Sequence, residues 1–89
     1  MQEQYVTIIN KLGLHARAAS KFVNLAKRYA AKIQVVNASK SVDGKSIMSI
    51  MLLAASQGTE IGLRIDGEDE VEAMEAITGL IADRFGEGE

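Results

Sequence analysis

Cysteine and proline are both absent from this 89-residue sequence, and histidine occurs once, as His15. The absence of cysteine excludes a disulfide framework and thiolate chemistry. Because a single histidine cannot supply a set of nitrogen and sulfur ligands, a metal site of that kind is excluded as well. We therefore expect that neither a metal nor a cofactor takes part in the function.

Long hydrophobic runs are also missing. The longest run, residues 50–55, has six members, whereas a membrane span needs about 20 apolar residues. The N-terminal residues show neither the basic start nor the apolar centre of a secretory signal. We therefore predict no membrane insertion and a cytoplasmic location. The length and an ordinary charged fraction of 25% predict one globular domain over residues 1–89.

The charges are distributed unevenly along the chain, although the net charge is only −2. Residues 1–45 contain eight basic and two acidic residues, a net charge of +6. Residues 46–89 contain two basic and ten acidic residues, a net charge of −8. The basic half is typical of a surface that attracts an acidic partner and speeds encounter. Solvated helix faces would produce the same pattern, so both interpretations stay open.

Hydrophobic periodicity and turn residues predict seven elements. Strands are predicted at residues 4–10, 32–37, 40–43 and 60–66, and helices at residues 16–29, 47–55 and 70–85. Asp69 is the predicted cap of the last helix, and residues 86–89 are predicted to fray. Apolar helix residues predicted to face the core are Ala19, Phe22, Val23, Ala26 and Ala30, and Val71, Met74, Ile77, Leu80 and Ile81.

The order of these elements, βαββαβα, predicts the fold class. Four short strands with two longer helices are typical of an α+β open-faced β-sandwich. In this architecture, helices cover one face of a four-stranded antiparallel sheet and leave the other face open.

His15 lies in the segment Gly13-Leu14-His15-Ala16-Arg17, between the first strand and the first helix. Imidazole accepts and releases groups near neutral pH, and an anion at a helix start faces unpaired N–H groups. The guanidinium of Arg17 suits phosphate oxygens. The segment therefore predicts that His15 is a nucleophile that forms a phosphohistidine, with its charge stabilised by Arg17. A structural or surface histidine is the alternative, since no second acid–base group or hydrolytic triad is apparent nearby.

Ser46 follows a Gly-Lys turn and precedes the short second helix, which is the position of an N-cap. A phosphate on this serine would be tolerated at a helix N-terminus and would add about two negative charges. We predict that Ser46 is the N-cap and a site of regulatory phosphorylation.

The segment after Ser46, residues 47–53, is apolar on nearly all sides. A helix at the edge of a small domain cannot bury every side. We therefore predict that Ile47, Met48 and Met51 point outward and form an adaptable patch for several partners. The alternative is that this helix is simply buried.

The segments around His15 and Ser46, together with Gln57-Gly58-Thr59, resemble the HPr family. These proteins are the histidine-containing phosphocarriers of the bacterial phosphoenolpyruvate-dependent phosphotransferase system. The resemblance covers essentially the whole chain and implies a stoichiometric carrier with this sandwich fold, rather than an enzyme. It implies that enzyme I transfers a phosphoryl group to Nδ1 of His15, with Arg17 stabilising the anion, and that the group then passes to enzyme IIA proteins.

The resemblance also implies a docking surface for enzyme I and enzyme IIA and a monomeric state. Its residues in this chain are Ala16, Ser20, Lys21, Asn24, Lys27, Ile47, Met48 and Met51. Ser46 corresponds to the target of HPr kinase/phosphorylase in organisms that have that enzyme. The sequence is similar to proteobacterial members, which include a nitrogen-related branch whose phosphorelay regulates by phosphorylation-dependent protein binding. Sugar uptake and this regulatory role both stay open.

The chain departs from the family pattern at Ala18, where proline usually follows the arginine. Proline in the first helical turn fixes φ and gives up an N–H that has no helical partner. Alanine restores that donor and is an excellent helix former. We expect a small change in the rigidity of the site and no loss of function.

A nucleic-acid-binding module is the competing hypothesis for the basic half. RNA-binding sheets of this topology stack bases on exposed Phe or Tyr side chains within strands. The chain has two Phe and two Tyr, and of these only Tyr5 lies in a predicted strand. We therefore predict no nucleic-acid partner.

Overall fold

The computed structural model describes residues 1–88 and contains the predicted elements in the predicted order. The strands are β1 (Gln2–Thr7), β2 (Lys32–Asn37), β3 (Lys40–Asp43) and β4 (Glu60–Asp66). The helices are α1 (Ala16–Ala26), α2 (Ile47–Leu52) and α3 (Glu70–Ala82), and a short 3₁₀ turn (Arg84–Gly86) follows. The predicted bounds of β2, β3 and β4 are therefore confirmed.

The four strands form one antiparallel sheet in the order β1-β4-β2-β3. In β4, Ile61, Leu63 and Ile65 are buried while Arg64 is exposed, the period of two of a strand with one face in a core. On the opposite face of the sheet, Tyr5 of β1 is 73% exposed. The predicted open-faced sandwich is confirmed.

The core lies between the sheet and the helices. The buried helical residues are Ala18, Ala19, Phe22, Val23 and Ala26 in α1, Ile50 in α2, and Ala73, Met74, Ile77 and Ile81 in α3. Two residues predicted to face this core are exposed instead. Ala30 is exposed because it follows the end of α1, and Val71 is 48% exposed because it falls at the margin of the buried stripe of α3.

The first two helices are each shorter than predicted. α1 ends at Ala26 because the N–H groups of Arg28 and Tyr29 donate to carbonyls three residues back, not four. α2 ends at Leu52 for the same reason, since the next two residues also donate to carbonyls three residues back. Such bonds tighten the last turn and satisfy carbonyls that the helix leaves open.

The third helix ends at Ala82, three residues earlier than predicted. Arg84 and Phe85 follow with φ of 53° and 54°, in the left-handed region where an α-helix of L-residues cannot continue. The side chain of Phe85 is nevertheless fully buried. It anchors this turn to the core and redirects the C-terminal residues across the molecule.

Asp69 precedes α3, but its carboxylate does not cap that helix. The two oxygens instead accept hydrogen bonds from the backbone N–H groups of Ala30 (2.8 Å) and Ala31 (2.9 Å). The predicted side-chain cap is therefore wrong, because the turn between α1 and β2 supplies donors from elsewhere in the chain. The hydrogen bond from Ala30 is the main cause that lowers the pKa of Asp69 below its ordinary value of 3.8.

Replacing Asp69 with Asn tests the turn contact. The Asn side chain has one acceptor oxygen for two N–H donors, so we expect Asp69→Asn to lower the free energy of unfolding at pH 7. Because the folded-state pKa is depressed, the contribution of the carboxylate is complete well above pH 3.8 and is lost as the pH falls through the folded pKa. Urea unfolding from pH 7 to pH 2 should therefore show the two proteins converging. Asp83→Asn, at an exposed carboxylate, is the control, and a gap independent of pH would contradict this account.

Ser46 caps α2 as predicted, since its Oγ accepts the backbone N–H of Ser49 at 3.3 Å. We expect Ser46→Ala to lower the free energy of unfolding by about 1 kcal/mol, because the first turn loses this acceptor. Urea unfolding at pH 7 measures the change. Ser39→Ala, in the exposed turn between β2 and β3, provides the control, and equal losses in the two variants would argue against the cap.

Candidate functional site

His15 occupies the N-cap position of α1, where the preceding loop turns into the helix. Its backbone is extended, with φ of −73° and ψ of 177°, and its carbonyl accepts the N–H of Ala19 at 2.8 Å. The side chain makes no capping bond and stays available for other contacts. The first turn of α1 carries no acidic residue, so no side chain of the helix itself offsets the positive end of its dipole.

The loop before His15 is held against the end of α2. Leu14 N–H donates to the carbonyl of Ala55 at 2.9 Å. Gly13 has φ of +66°, and a Cβ at this position would lie 2.5 Å from that same carbonyl oxygen. Only glycine meets both conditions, the left-handed backbone and the close approach, so this glycine fixes the path of the chain into His15.

Asn10 connects this loop to the C-terminal residues. Its side chain is fully buried, and its Nδ2 donates to the carbonyl of Gly13 and to Oε1 of Glu87, both at 2.8 Å. Its Oδ1 has no hydrogen-bond partner among residues 1–88. The predicted first strand extended to this residue, but β1 ends at Thr7, after which Ile8 bonds to Gly58 and Thr59 in the turn before β4.

The side chain of Glu87 is in direct contact with the imidazole of His15. Its Oε2 pairs with Nε2 of His15, and the two side chains are 13% and 28% exposed. Burial by itself raises the pKa of the Glu87 carboxyl, but the hydrogen bonds from Asn10 and His15 outweigh burial. The resulting pKa is lower than the ordinary glutamate value of 4.5, so this group is a carboxylate at neutral pH.

The C-terminal residues do not fray as predicted. Lys21 of α1 donates from Nζ to the carbonyl of Phe85 at 2.6 Å, and Glu87 makes the two contacts with Asn10 and His15. The prediction is wrong for this part of the tail because the buried Phe85 side chain and three polar contacts order it. Residue 89 was included in that prediction and lies outside the described residues.

A basic cavity of about 380 Å³ adjoins the pair of Glu87 and His15. Its lining consists of Lys11, Leu12, Arg17, Lys21, Gly86 and Glu87. Three of these side chains are cationic and one is anionic, so the cavity favours an anion such as a phosphoryl group. The structure thus brings Arg17 and Lys21 of α1 together with Lys11 of the preceding loop around one cavity, which Glu87 connects to His15.

The predicted apolar patch is exposed. Ile47, Met48 and Met51 of α2 are 39%, 71% and 41% exposed, so the alternative that this helix is simply buried is wrong. Leu12 and Leu52, at 67% and 65%, are also exposed and were not predicted as part of the patch.

The polar face of α1 lies beside that apolar patch, because α1 and α2 pack against each other. Ala16, Lys21, Asn24 and Lys27 are exposed, and Ser20 is half-buried. Ser46 is half-buried at the start of α2. The residues predicted to bind partners therefore lie on two neighbouring helices, close to the loop that carries His15.

The residues that sequence reasoning missed are Asn10 and Glu87. They are separated by 77 residues, and Glu87 is separated from His15 by 72. No spacing motif connects such positions, and an acidic residue between two glycines is typical of a mobile terminus. Only the path of the chain after Phe85 brings this carboxylate to the imidazole.

Among residues 1–88, no group of three or more His, Cys, Asp or Glu side chains is arranged to hold a metal ion. None of the helices formed by these residues combines the length and the apolar composition required to span a membrane.

Comparison with known proteins extends these observations. Residues 2–83 match the family model described as the PTS HPr component phosphorylation site. The chain is 53% identical over 89 residues to the phosphocarrier protein HPr of Neisseria meningitidis serogroup A, covering 100% of both chains. It is 56% identical over 85 residues to the phosphocarrier protein HPr of Pseudomonas aeruginosa, covering 94% of each.

Comparison with solved structures also leads to HPr proteins. HPr-C-His from Thermoanaerobacter tengcongensis superimposes with a TM-score of 0.95 and 46% identity, over 98% of each chain. The phosphocarrier protein HPr of Bacillus anthracis gives a TM-score of 0.85 at 40% identity, over 88% of this chain and 93% of that one. The chain therefore belongs to the HPr family, the phosphocarrier proteins of the phosphotransferase system.

Proposed function

We propose that His15 is the residue that carries the phosphoryl group, accepting it from phosphorylated enzyme I and passing it to enzyme IIA proteins. The chain carries one phosphoryl group per transfer and is not an enzyme that turns over a substrate. One observation carries this proposal: the only histidine stands at the N-cap of α1, joined through Glu87 to a cavity with three basic side chains.

The transfer needs a nitrogen lone pair on the imidazole. Nε2 of His15 is occupied by Glu87, whereas Nδ1 makes no hydrogen bond to any residue between 1 and 88. The Nδ1 lone pair forms the N–P bond while the bond between phosphorus and the donor atom of enzyme I breaks. The donor atom keeps the electron pair of the broken bond, and the Nε2 proton stays on the ring.

The surroundings of His15 supply charge for the group that is transferred. Arg17 and Lys21 line the cavity, and guanidinium and ammonium groups both stabilise phosphoryl oxygens. The N-terminus of α1 adds the positive end of its dipole. These groups are in place before the reaction, so they stabilise the anion without large reorganisation.

The docking surface for enzyme I and enzyme IIA combines the exposed face of α1 with the apolar patch on α2. Lys21 and Lys27 attract an acidic partner, while Met48 and Met51 adapt to the shapes of different partners. Residues 1–89 act as one monomeric domain in the cytoplasm. A phosphate on Ser46, placed by HPr kinase/phosphorylase where that enzyme exists, would add negative charge within this surface.

Removing the imidazole tests the acceptor. We expect His15→Ala to abolish phosphoryl acceptance, because the chain has no other histidine. Intact mass after incubation with enzyme I and phosphoenolpyruvate should show one added phosphoryl group in the natural chain, which brief acid treatment removes. Ser46→Ala should still gain an acid-labile group. Acceptance by a folded His15→Ala variant, with unchanged circular dichroism, would refute the proposal.

A charge at Ser46 tests the docking surface. Aspartate and asparagine are both good N-caps, so Ser46→Asp and Ser46→Asn differ mainly in one negative charge. We expect Ser46→Asp to slow transfer from enzyme I several-fold at low salt, through repulsion of an acidic partner. Ser46→Asn should transfer at nearly the natural rate. Equal rates for the two variants at low ionic strength would contradict the predicted role of charge, which salt should otherwise diminish.

A further inference from the structure

Three polar contacts and one buried ring hold Glu87 against His15. Asn10 donates to its Oε1, His15 pairs with its Oε2, and Lys21 holds the carbonyl of Phe85 two residues earlier. The Phe85 side chain is fully buried beneath this turn. A terminal segment anchored at this many points is part of the site and not a loose extension of α3.

The backbone before Glu87 adopts an unfavourable conformation. Arg84 and Phe85 are not glycines, yet both have φ near +53°. Residues in this region cost free energy and persist only where the surrounding structure determines them. Such strain is common at functional sites, and here its result is that a carboxylate reaches the imidazole.

We propose that Glu87 is a positioning residue that keeps the ring proton of His15 on Nε2 and thereby leaves the lone pair on Nδ1. This inference rests on the proposed function, because it concerns the nitrogen that accepts the phosphoryl group.

The chemistry of the two side chains supports this assignment. A neutral imidazole has one N–H donor and one acceptor nitrogen, whereas a carboxylate only accepts. Nε2 must therefore carry the proton to bond to Glu87, and the free lone pair is on Nδ1. The bond also fixes the rotation of the ring about its link to Cβ, as carboxylates do for other functional histidines.

The charge of Glu87 serves the transfer step as well. The imidazole becomes more positive as the N–P bond forms, and the carboxylate at Nε2 stabilises that charge. The phosphorus atom is attached at the other ring nitrogen and not at Nε2, which bonds to Glu87. Arg17 and Lys21, which line the cavity next to Glu87, offset the repulsion that remains.

The variant Glu87→Gln distinguishes a positioning role of Glu87 from a packing role. Asn10 and His15 are both donors to Glu87, but a Gln side chain offers one acceptor oxygen and one NH₂ group. Nδ2 of Asn10 also bonds to the carbonyl of Gly13 and stays a donor, so the glutamine oxygen faces Asn10. The NH₂ group then faces Nε2 and favours the tautomer with its proton on Nδ1. Glu87→Gln preserves size, so a packing role would be retained while the positioning role would be lost.

The experiment compares the full-length natural chain with Glu87→Gln and with the control Glu75→Gln, an exposed position on α3. The ¹⁵N chemical shifts of the two ring nitrogens, measured on the neutral imidazole, report the tautomer. We expect the Nε2–H form in the natural chain and the control, and a substantial Nδ1–H population in Glu87→Gln. The second-order rate constant for transfer from phosphorylated enzyme I should fall roughly tenfold in Glu87→Gln alone, the loss typical of a charge-assisted hydrogen bond.

The proposal requires that both the tautomer and the transfer rate change in Glu87→Gln. An unchanged tautomer in Glu87→Gln overturns the proposal whatever the rate, because a slower rate would then have a cause outside the ring proton. A changed tautomer with an unchanged rate also overturns it. These failures differ from failure of the proposed function, in which the natural chain would take no phosphoryl group on His15.

Discussion

Burial of one face of the sheet beneath α1 and α3 is the constraint on which the rest of this structure depends. Leu63 and Ile65 of the inner strand and Phe22 and Ile77 of the helices are fully buried together. Each such side chain contributes about 1.5–3 kcal/mol on leaving water, and this small chain has one core to stabilise it. The first turn of α1 belongs to that core through Ala18, so core packing also determines where the helix begins and where His15 lies.

The site combines the imidazole of His15 with charged groups of both signs. Lys11, Arg17 and Lys21 line a cavity suited to an anion, and Glu87 lines the same cavity while its Oε2 pairs with Nε2 of His15. A carrier must accept a group and also give it up, so a site of cations alone would hold the phosphoryl group too firmly. The carboxylate of Glu87 beside the ring moderates the positive field of these cations.

The surface around the site also combines two kinds of residue, the cationic residues of α1 and the apolar residues of α2. In the proposed docking surface, cationic residues of α1 would act at a distance and determine how fast an acidic partner arrives. The apolar side chains of α2 would act only in contact, where burial would stabilise the complex and methionine would adapt to different shapes. Ser46 is at the junction of these two regions, as the cap of α2, which is why one added charge there would influence both.

The sequence by itself determined the elements, their order and the residues with reactive or apolar side chains. Alternation in residues 60–66 and the Gly-Leu-His-Ala-Arg segment are local signals, because strand pleat and helix start act over a few residues. Tertiary structure alone decided the contacts of Asp69 with the turn after α1 and of Glu87 with His15. These contacts join residues 38 to 72 positions apart, and they form only when the buried Phe85 and the packed helices bring the backbone together.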